Sequence, residues 1–177
     1  ASDVYKRQVV EVSTALTGTA DSVTYELADA EGQVLATAEG LGTVQLAANG
    51  ITPWTPETPA LYTLRVNVTA NGTADTAEQR IGIRTIQVSS KTGLLLNGQP
   101  RTMKGGCIHH DLGILGAADH AAAERRRIRL MKESGFDAIR AAHNPFGPAF
   151  LNACDELGML VVEAVSYTHL RAHETSL

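Results

Sequence analysis

The chain has 177 residues, 44% of them hydrophobic and 19% charged, which is an ordinary globular composition with enough apolar mass for a core. A formal net charge of −4 offers no basic surface for nucleic acid or an anionic membrane, and no apolar run approaches the roughly 20 residues that span a bilayer. Cys107 and Cys154 lie far apart and outside any CxxC pattern, so they read as two free thiols and not as a disulfide framework or a zinc site.

The ends differ from the rest of the chain. "SDVYKRQ" and "SYTHLRAHETSL" resemble translated adapter read-through of the kind that flanks gene fragments from environmental DNA. After Val165 the apolar pattern stops, and the tail has neither strand alternation nor enough turns for a stable helix. Residues 1–7 and 166–177 are therefore expected to lie outside the fold.

Residues 8–90 read as β. "VVEVSTAL" alternates, with Val10, Val12 and Leu16 on one face. "SVTYELADAEGQVLATA" is two short runs around an Asp-Ala-Glu-Gly turn. Pro53, Pro56 and Pro59 exclude a central strand at 52–59. Trp54, inside that loop, either covers an end of the β domain or stacks on a sugar; the packing role is favoured. Tyr62, Leu64, Val66 and Val68 share a face of a hairpin that turns at Asn71-Gly72. "IQV" at 86–88 reads as the last strand of an immunoglobulin-like β-sandwich.

Residues 91–165 have another grammar. "GLLLNGQPRTMKGG" is a small hairpin with Asn97-Gly98 at its tip, leading into a strand near Met103–Cys107. "AADHAAAERRRIRLMKESG" reads as a helix that Asp119 caps and Gly135 ends. Ala121, Ala123, Ile128, Leu130 and Met131 fall on its apolar side, with Arg127 inside the apolar arc. "FDAIRA" is a strand. "PAFLNACDELG" is a helix with Pro148 in its first turn and Gly158 after its last. "MLVVEA" is a buried strand. Strand, helix, strand, helix, strand demands parallel pairing with right-handed crossovers. With no GxGxxG after the first strand, the expected fold is the first βα units of a truncated TIM (β/α)8 barrel. A full barrel needs about 250 residues, so about two and a half of its eight units are expected.

Working groups in parallel α/β folds gather at the carboxyl ends of strands. Here those ends carry Cys107-Ile108-His109-His110-Asp111, then Arg140 followed by His143 and Asn144, then Glu163. Metal ligation is disfavoured, because neighbouring strand residues such as His109 and His110 point to opposite faces and there is no HxH or HExxH. No GxSxG supports a serine nucleophile, and Cys107 has no evident base beyond its histidine neighbours. Imidazoles, an amide and a guanidinium suit oriented hydrogen bonding to the hydroxyls of a sugar. An Arg140–Glu163 salt bridge is the competing structural role, compatible with it.

"WTPETPALYTL", "IGIRTIQV", "LLLNGQPRTMKGGCIHHDLG" and "RLMKESGFDAIRAAHNPFGPAFLNACDELGMLVVEA" resemble, in that order, glycoside hydrolase family 2, the group of β-galactosidases, β-glucuronidases and β-mannosidases. The resemblance implies an immunoglobulin-like domain followed by a TIM barrel that hydrolyses terminal β-glycosides with retention. It implies sugar contacts from His109 and His143, a role in orienting the nucleophilic glutamate for Arg140, and a place in an acidic pair for Glu163. Asn144 stands where some members have tyrosine. The family's two catalytic glutamates come from later strands, the acid/base after an asparagine, and no Asn-Glu occurs here. The chain alone is therefore expected to be inactive, without cofactor, with a carbohydrate as its partner and with exposed apolar edges. The alternative is a non-catalytic carbohydrate-binding sandwich with an α/β appendage.

Overall fold

A computed structural model describes residues 7–164; the tails expected outside the fold fall almost entirely beyond these residues. The chain divides into two units, one holding residues up to 54 and 60–84, the other 55–59 and everything from 85 onward.

The first unit is built of two antiparallel sheets. β1 (Arg7–Ser13) pairs with β4 (Thr43–Asn49), and the four-stranded sheet runs β3-β2-β5-β6, with β2 Ser22–Ala28, β3 Val34–Glu39, β5 Tyr62–Ala70 and β6 Thr73–Ile81. Alternation decides what is buried: Val23, Tyr25 and Leu27 of β2 meet Leu46 and Ala48 of β4. Val10 and Val12 join this core as expected, whereas Leu16 lies past the end of β1 and is exposed. The β5–β6 hairpin turns at Asn71 and Gly72, with φ of 50° and 75°, the left-handed pair that a tight two-residue turn needs. Trp54 is 1% exposed, its backbone N–H donates to the Ile83 carbonyl at 2.8 Å, and Arg84 Cζ lies 4.6 Å over its ring. It packs within this unit and presents no face for stacking on a sugar.

β7 (Ile86–Ser89) corrects the expected last sandwich strand. It pairs with β8 (Gly93–Leu96), which pairs in turn with β9 (Gln99–Pro100), and all three belong to the second unit. A three-residue apolar run carries no mark of which sheet it joins. Ile86 and Val88 are 51% and 76% exposed, so the backbone ladder and not burial fixes the strand.

The rest of the second unit is a parallel sheet, β10 (Gly105–Ile108), β11 (Ala138–Ala141) and β12 (Leu160–Glu163), in that spatial order. Helices α1 (Ala121–Glu133) and α2 (Pro148–Leu157) make the crossovers. Ile128 of α1, Phe150, Ala153 and Cys154 of α2, and Ile139 and Ala141 of β11 form one buried cluster. Burying such side chains stabilises the unit by about 1.5–3 kcal/mol each for the larger ones. The opposite ends of the strands are tied by polar contacts. Asp137 accepts from the Lys104 N–H (2.7 Å) and from Arg101 (2.8 Å), and the same guanidinium makes two bonds to Glu57. Arg101 thereby holds the Glu57 carboxyl below the usual carboxylate range.

α1 differs from its expected face. The buried residues are Glu124 and Ile128, with Arg127 and Met131 half-buried beside them, while Leu130 is 41% exposed. Its N-cap is His120, which makes no side-chain capping bond. Asp119 instead caps the other helix: its carboxylate accepts from the Ala149 and Phe150 N–H groups at 3.0 and 3.2 Å. Gly147 makes this possible, since a Cβ there would lie 2.1 Å from Asp119 Oδ2.

The Tyr25 hydroxyl is fully buried and has no hydrogen-bond partner among the described residues. Tyr25→Phe removes that desolvated group, so the urea midpoint of the sandwich should rise by the equivalent of about 1 kcal/mol; a fall would show that the hydroxyl is satisfied. Asp119→Ala should lower the stability of the second unit by about 1–2 kcal/mol and Asp119→Asn by much less, read from urea unfolding. Burial pushes the Cys154 thiol up to about 12. Unfolded, that thiol ionises near 8.5, so the folded state holds the extra proton. Stability should then fall with rising pH from about 9 to 12, by at most about 1.4 kcal/mol per pH unit, and Cys154→Ala should remove that part of the slope. A thiol reagent should label exposed Cys107 in the native chain and Cys154 only on unfolding.

Candidate functional site

The parallel register aligns the carboxyl ends of the three strands. Ile108, Ala141 and Glu163 are register partners, and so are Cys107, Arg140 and Val162. The ladder continues one step beyond the strands, from the Ala142 N–H to Ile108 O and from the Ala164 N–H to Ala141 O, both at 3.0 Å. The chain therefore leaves β10 and β11 side by side. The next residues place His109 and His143 with ring centroids 5.0 Å apart and planes tilted by 45°.

His143 sits in a tight three-residue turn closed by the Asn144 N–H on Ala142 O at 2.9 Å. Its φ is 71°, a left-handed conformation costing an L-residue about 1–2 kcal/mol. Without that reversal the chain would continue along β11 and carry the imidazole away from His109. Asn144 is exposed and follows directly in the same loop.

Arg140 is exposed on the sheet face opposite the helices, with Nη1 3.6 Å from Cys107 Sγ. Met103, Gly105, Cys107, Ala138 and Val162 line the same shallow groove. Glu163 does not share it. The register puts Glu163 in the row of Ile108 and Ala141, which packs toward the helices, one step out of phase with Arg140. Among the described residues no ion pair joins the two, so the competing structural role for Arg140, a salt bridge to Glu163, is not formed. Strand alternation is the reason: neighbouring strands pair Arg140 with Val162.

His110 goes to the scaffold. Its ring stacks on Phe146 at 3.9 Å, and Nε2 donates to the Pro145 carbonyl at 3.1 Å, joining the loop after β10 to the loop after β11. Glu124 and Arg127 were not among the candidate residues, yet both touch this region. Arg127 pairs with buried Glu124 and donates Nη1 to the carbonyls of His109 and Asp111 at 3.2 and 3.3 Å. The signal for it was a cation inside an apolar helical arc. No group of three or more His, Cys, Asp or Glu is placed to hold a metal ion among the described residues.

Chemically, two imidazoles and an exposed amide offer hydrogen-bonding groups at the strand ends, and a five-donor guanidinium lies in the groove on the sheet face. Such a set can orient several hydroxyls.

Both units of the chain resemble known proteins. Residues 3–84 match the family model for glycosyl hydrolases family 2, and residues 86–175 match that family's TIM barrel domain. Beta-galactosidase BoGH2A of Bacteroides ovatus is 35% identical over 89% of this chain and 20% of its own length. A putative beta-glucuronidase of Formosa agariphila is 32% identical over 89% of this chain and 16% of its own. Among solved structures, a family 2 glycosyl hydrolase of Bacteroides cellulosilyticus superposes with a TM-score of 0.84 at 34% identity, covering 91% of this chain and 24% of that one. Ruminococcus gnavus beta-glucuronidase, solved with uronic isofagomine, gives 0.82 at 28% identity over 90% of this chain and 26% of that one. No described helix is long and apolar enough to cross a membrane. The chain thus spans a fifth or less of the curated relatives named here, and within that span both of its units match one family. It carries a sandwich domain followed by the start of a TIM barrel, and it belongs to glycosyl hydrolase family 2.

Proposed function

We propose that this chain is part of a retaining β-glycosidase and supplies one wall of its sugar site. The observation that carries the reading is the 5.0 Å approach of His109 and His143 at the ends of adjacent parallel strands. In this reading the two imidazoles and Asn144 bind hydroxyls of the terminal pyranose. Arg140, on the inner face of the sheet, holds a carboxylate of the barrel ionised and in place. Glu163 is left outside the sugar-contacting set because of its phase. Beta-galactosidases and beta-glucuronidases among the relatives support a terminal β-glycoside as the substrate class.

Retaining hydrolysis takes two carboxylates about 5–5.5 Å apart, one attacking the anomeric carbon and one protonating the leaving oxygen. Neither role is assigned to a residue of this chain. Its own residues bind and orient: donors fixed before the substrate arrives cost no reorganisation as charge develops at the anomeric centre.

The 177-residue chain should release no p-nitrophenol from a panel of p-nitrophenyl β-hexosides and β-hexuronides. A longer gene product containing it should turn over at least one of them. In that product His143→Ala should lower kcat/KM by about 100-fold or more, equal to roughly 2.7 kcal/mol. An inert longer product, or turnover by the 177-residue chain, would overturn the reading.

A further inference from the structure

Arg127 makes more contacts than a helix-surface cation needs. Its Nε and Nη2 donate to Glu124 Oε2 at 3.0 and 2.5 Å, and the two side chains are only 16% and 5% exposed. Its Nη1 reaches past the helix to the carbonyls of His109 and Asp111. Its Cζ lies 5.5 Å from the ring centroids of both Phe146 and Phe150. Phe146 in turn carries the His110 ring and sits three residues after His143. One guanidinium thus grips the loop after β10 by its carbonyls and the loop after β11 by an aromatic face.

Stability alone does not call for this arrangement. A buried ion pair is often replaceable by apolar side chains of similar volume without loss. What an apolar pair cannot supply is a donor for His109 O and Asp111 O. Lysine cannot supply it either while serving Glu124, because its ammonium is a single point and not a fork.

We propose that Arg127, anchored by Glu124, is a positioning residue that sets the His109 imidazole against His143. This rests on the sugar-site reading above for its functional meaning, but not for its geometry. The clamp fixes the backbone at His109, the carbonyl side of Asp111 and the stack beneath Phe146. The two rings then meet at one distance before any ligand is present. Releasing Nη1 frees the loop after β10 to move while the helix–sheet core, centred on Ile128 and Ile139, stays packed.

The test uses the 177-residue chain and NMR. In Glu124→Leu/Arg127→Met the ring-to-ring cross-peak between His109 and His143 should weaken at least threefold. The Asp111 amide, bonded to His109 O at 2.8 Å, should exchange at least tenfold faster. Methyl signals of Ile128 and Ile139 should keep their positions. Arg127→Lys, which keeps the charge beside Glu124, should show the same loss at the rings and decides the matter if the double variant does not fold. A cross-peak within twofold of wild type, with unchanged exchange, in either folded variant would overturn the proposal. Turnover by the longer gene product separates the two readings. If that product is inert on every β-glycoside while the variants lose the ring contact, the sugar site falls and the clamp stands; if it is active and loses activity with His143→Ala while the variants keep the ring contact, the clamp falls alone.

Discussion

Parallel pairing of β10, β11 and β12 without a register slip is the constraint on which the candidate site depends. In a parallel sheet, partners in register point to the same face, so a shift of one residue would exchange every inward and outward side chain. Gly105 shows how closely the register is set. A Cβ at that position would lie 2.0 Å from the Ala138 carbonyl oxygen, so β10 can begin only with glycine at this distance from β11. Once that start is fixed, Cys107 falls beside Arg140, and the two chains leave the sheet together at His109 and Ala142. The same rule removes Glu163 from the groove.

Support for the rim comes from the helix side. Asp119 caps α2, His110 bridges to Pro145, and Arg127 binds two carbonyls of the loop after β10. The first two contacts join the segment after β10 to the loop or helix that follows β11, and the third ties α1 back to the loop that precedes it. The left-handed turn at His143 stores strain that a free loop would release. It persists because the residues on both sides are held: Ala142 by the ladder and Phe146 by its stack in the core. At the other end of the sheet, the bonds of Asp137 and Arg101 touch none of the candidate residues.

Much of this was legible in the sequence, and the gaps have physical causes. The order of strands and helices in the second unit could be read because the apolar period changes from 2 to 3.6 and back, and because Pro148 and Gly158 mark the limits of α2. Strand order alone puts His109 and His143 at neighbouring strand ends, but it does not say which of the polar residues there meet. The role of Asp119 could not be read, since an aspartate before a helix reads as that helix's cap until the fold brings another helix closer. The unit that β7 joins is not legible in the sequence, because strand partners are not encoded locally. β4 is hard to read from the sequence, although Val44, Leu46 and Ala48 alternate, because its small side chains give a weak signal. Arg127 was visible as a misfit in the apolar arc. Its meaning required the carbonyls that the loop after β10 turns toward it.

The sheet face that carries Arg140 is open, with Met103 and Val162 each 44% exposed beside it. A barrel interior is a packed core, so in a closed barrel these side chains would face those of further strands. The groove and the imidazole rim would then lie at one mouth, which is where a ligand would touch both histidines. The most direct measurement is a crystal structure of a longer gene product containing this chain, bound to a neutral or uronic isofagomine-type mimic of the glycosyl cation. The account predicts one pyranose-like ring within hydrogen-bonding distance of both His109 and His143, with Arg140 beneath it. A ring bound at the barrel mouth that touches neither imidazole would contradict it.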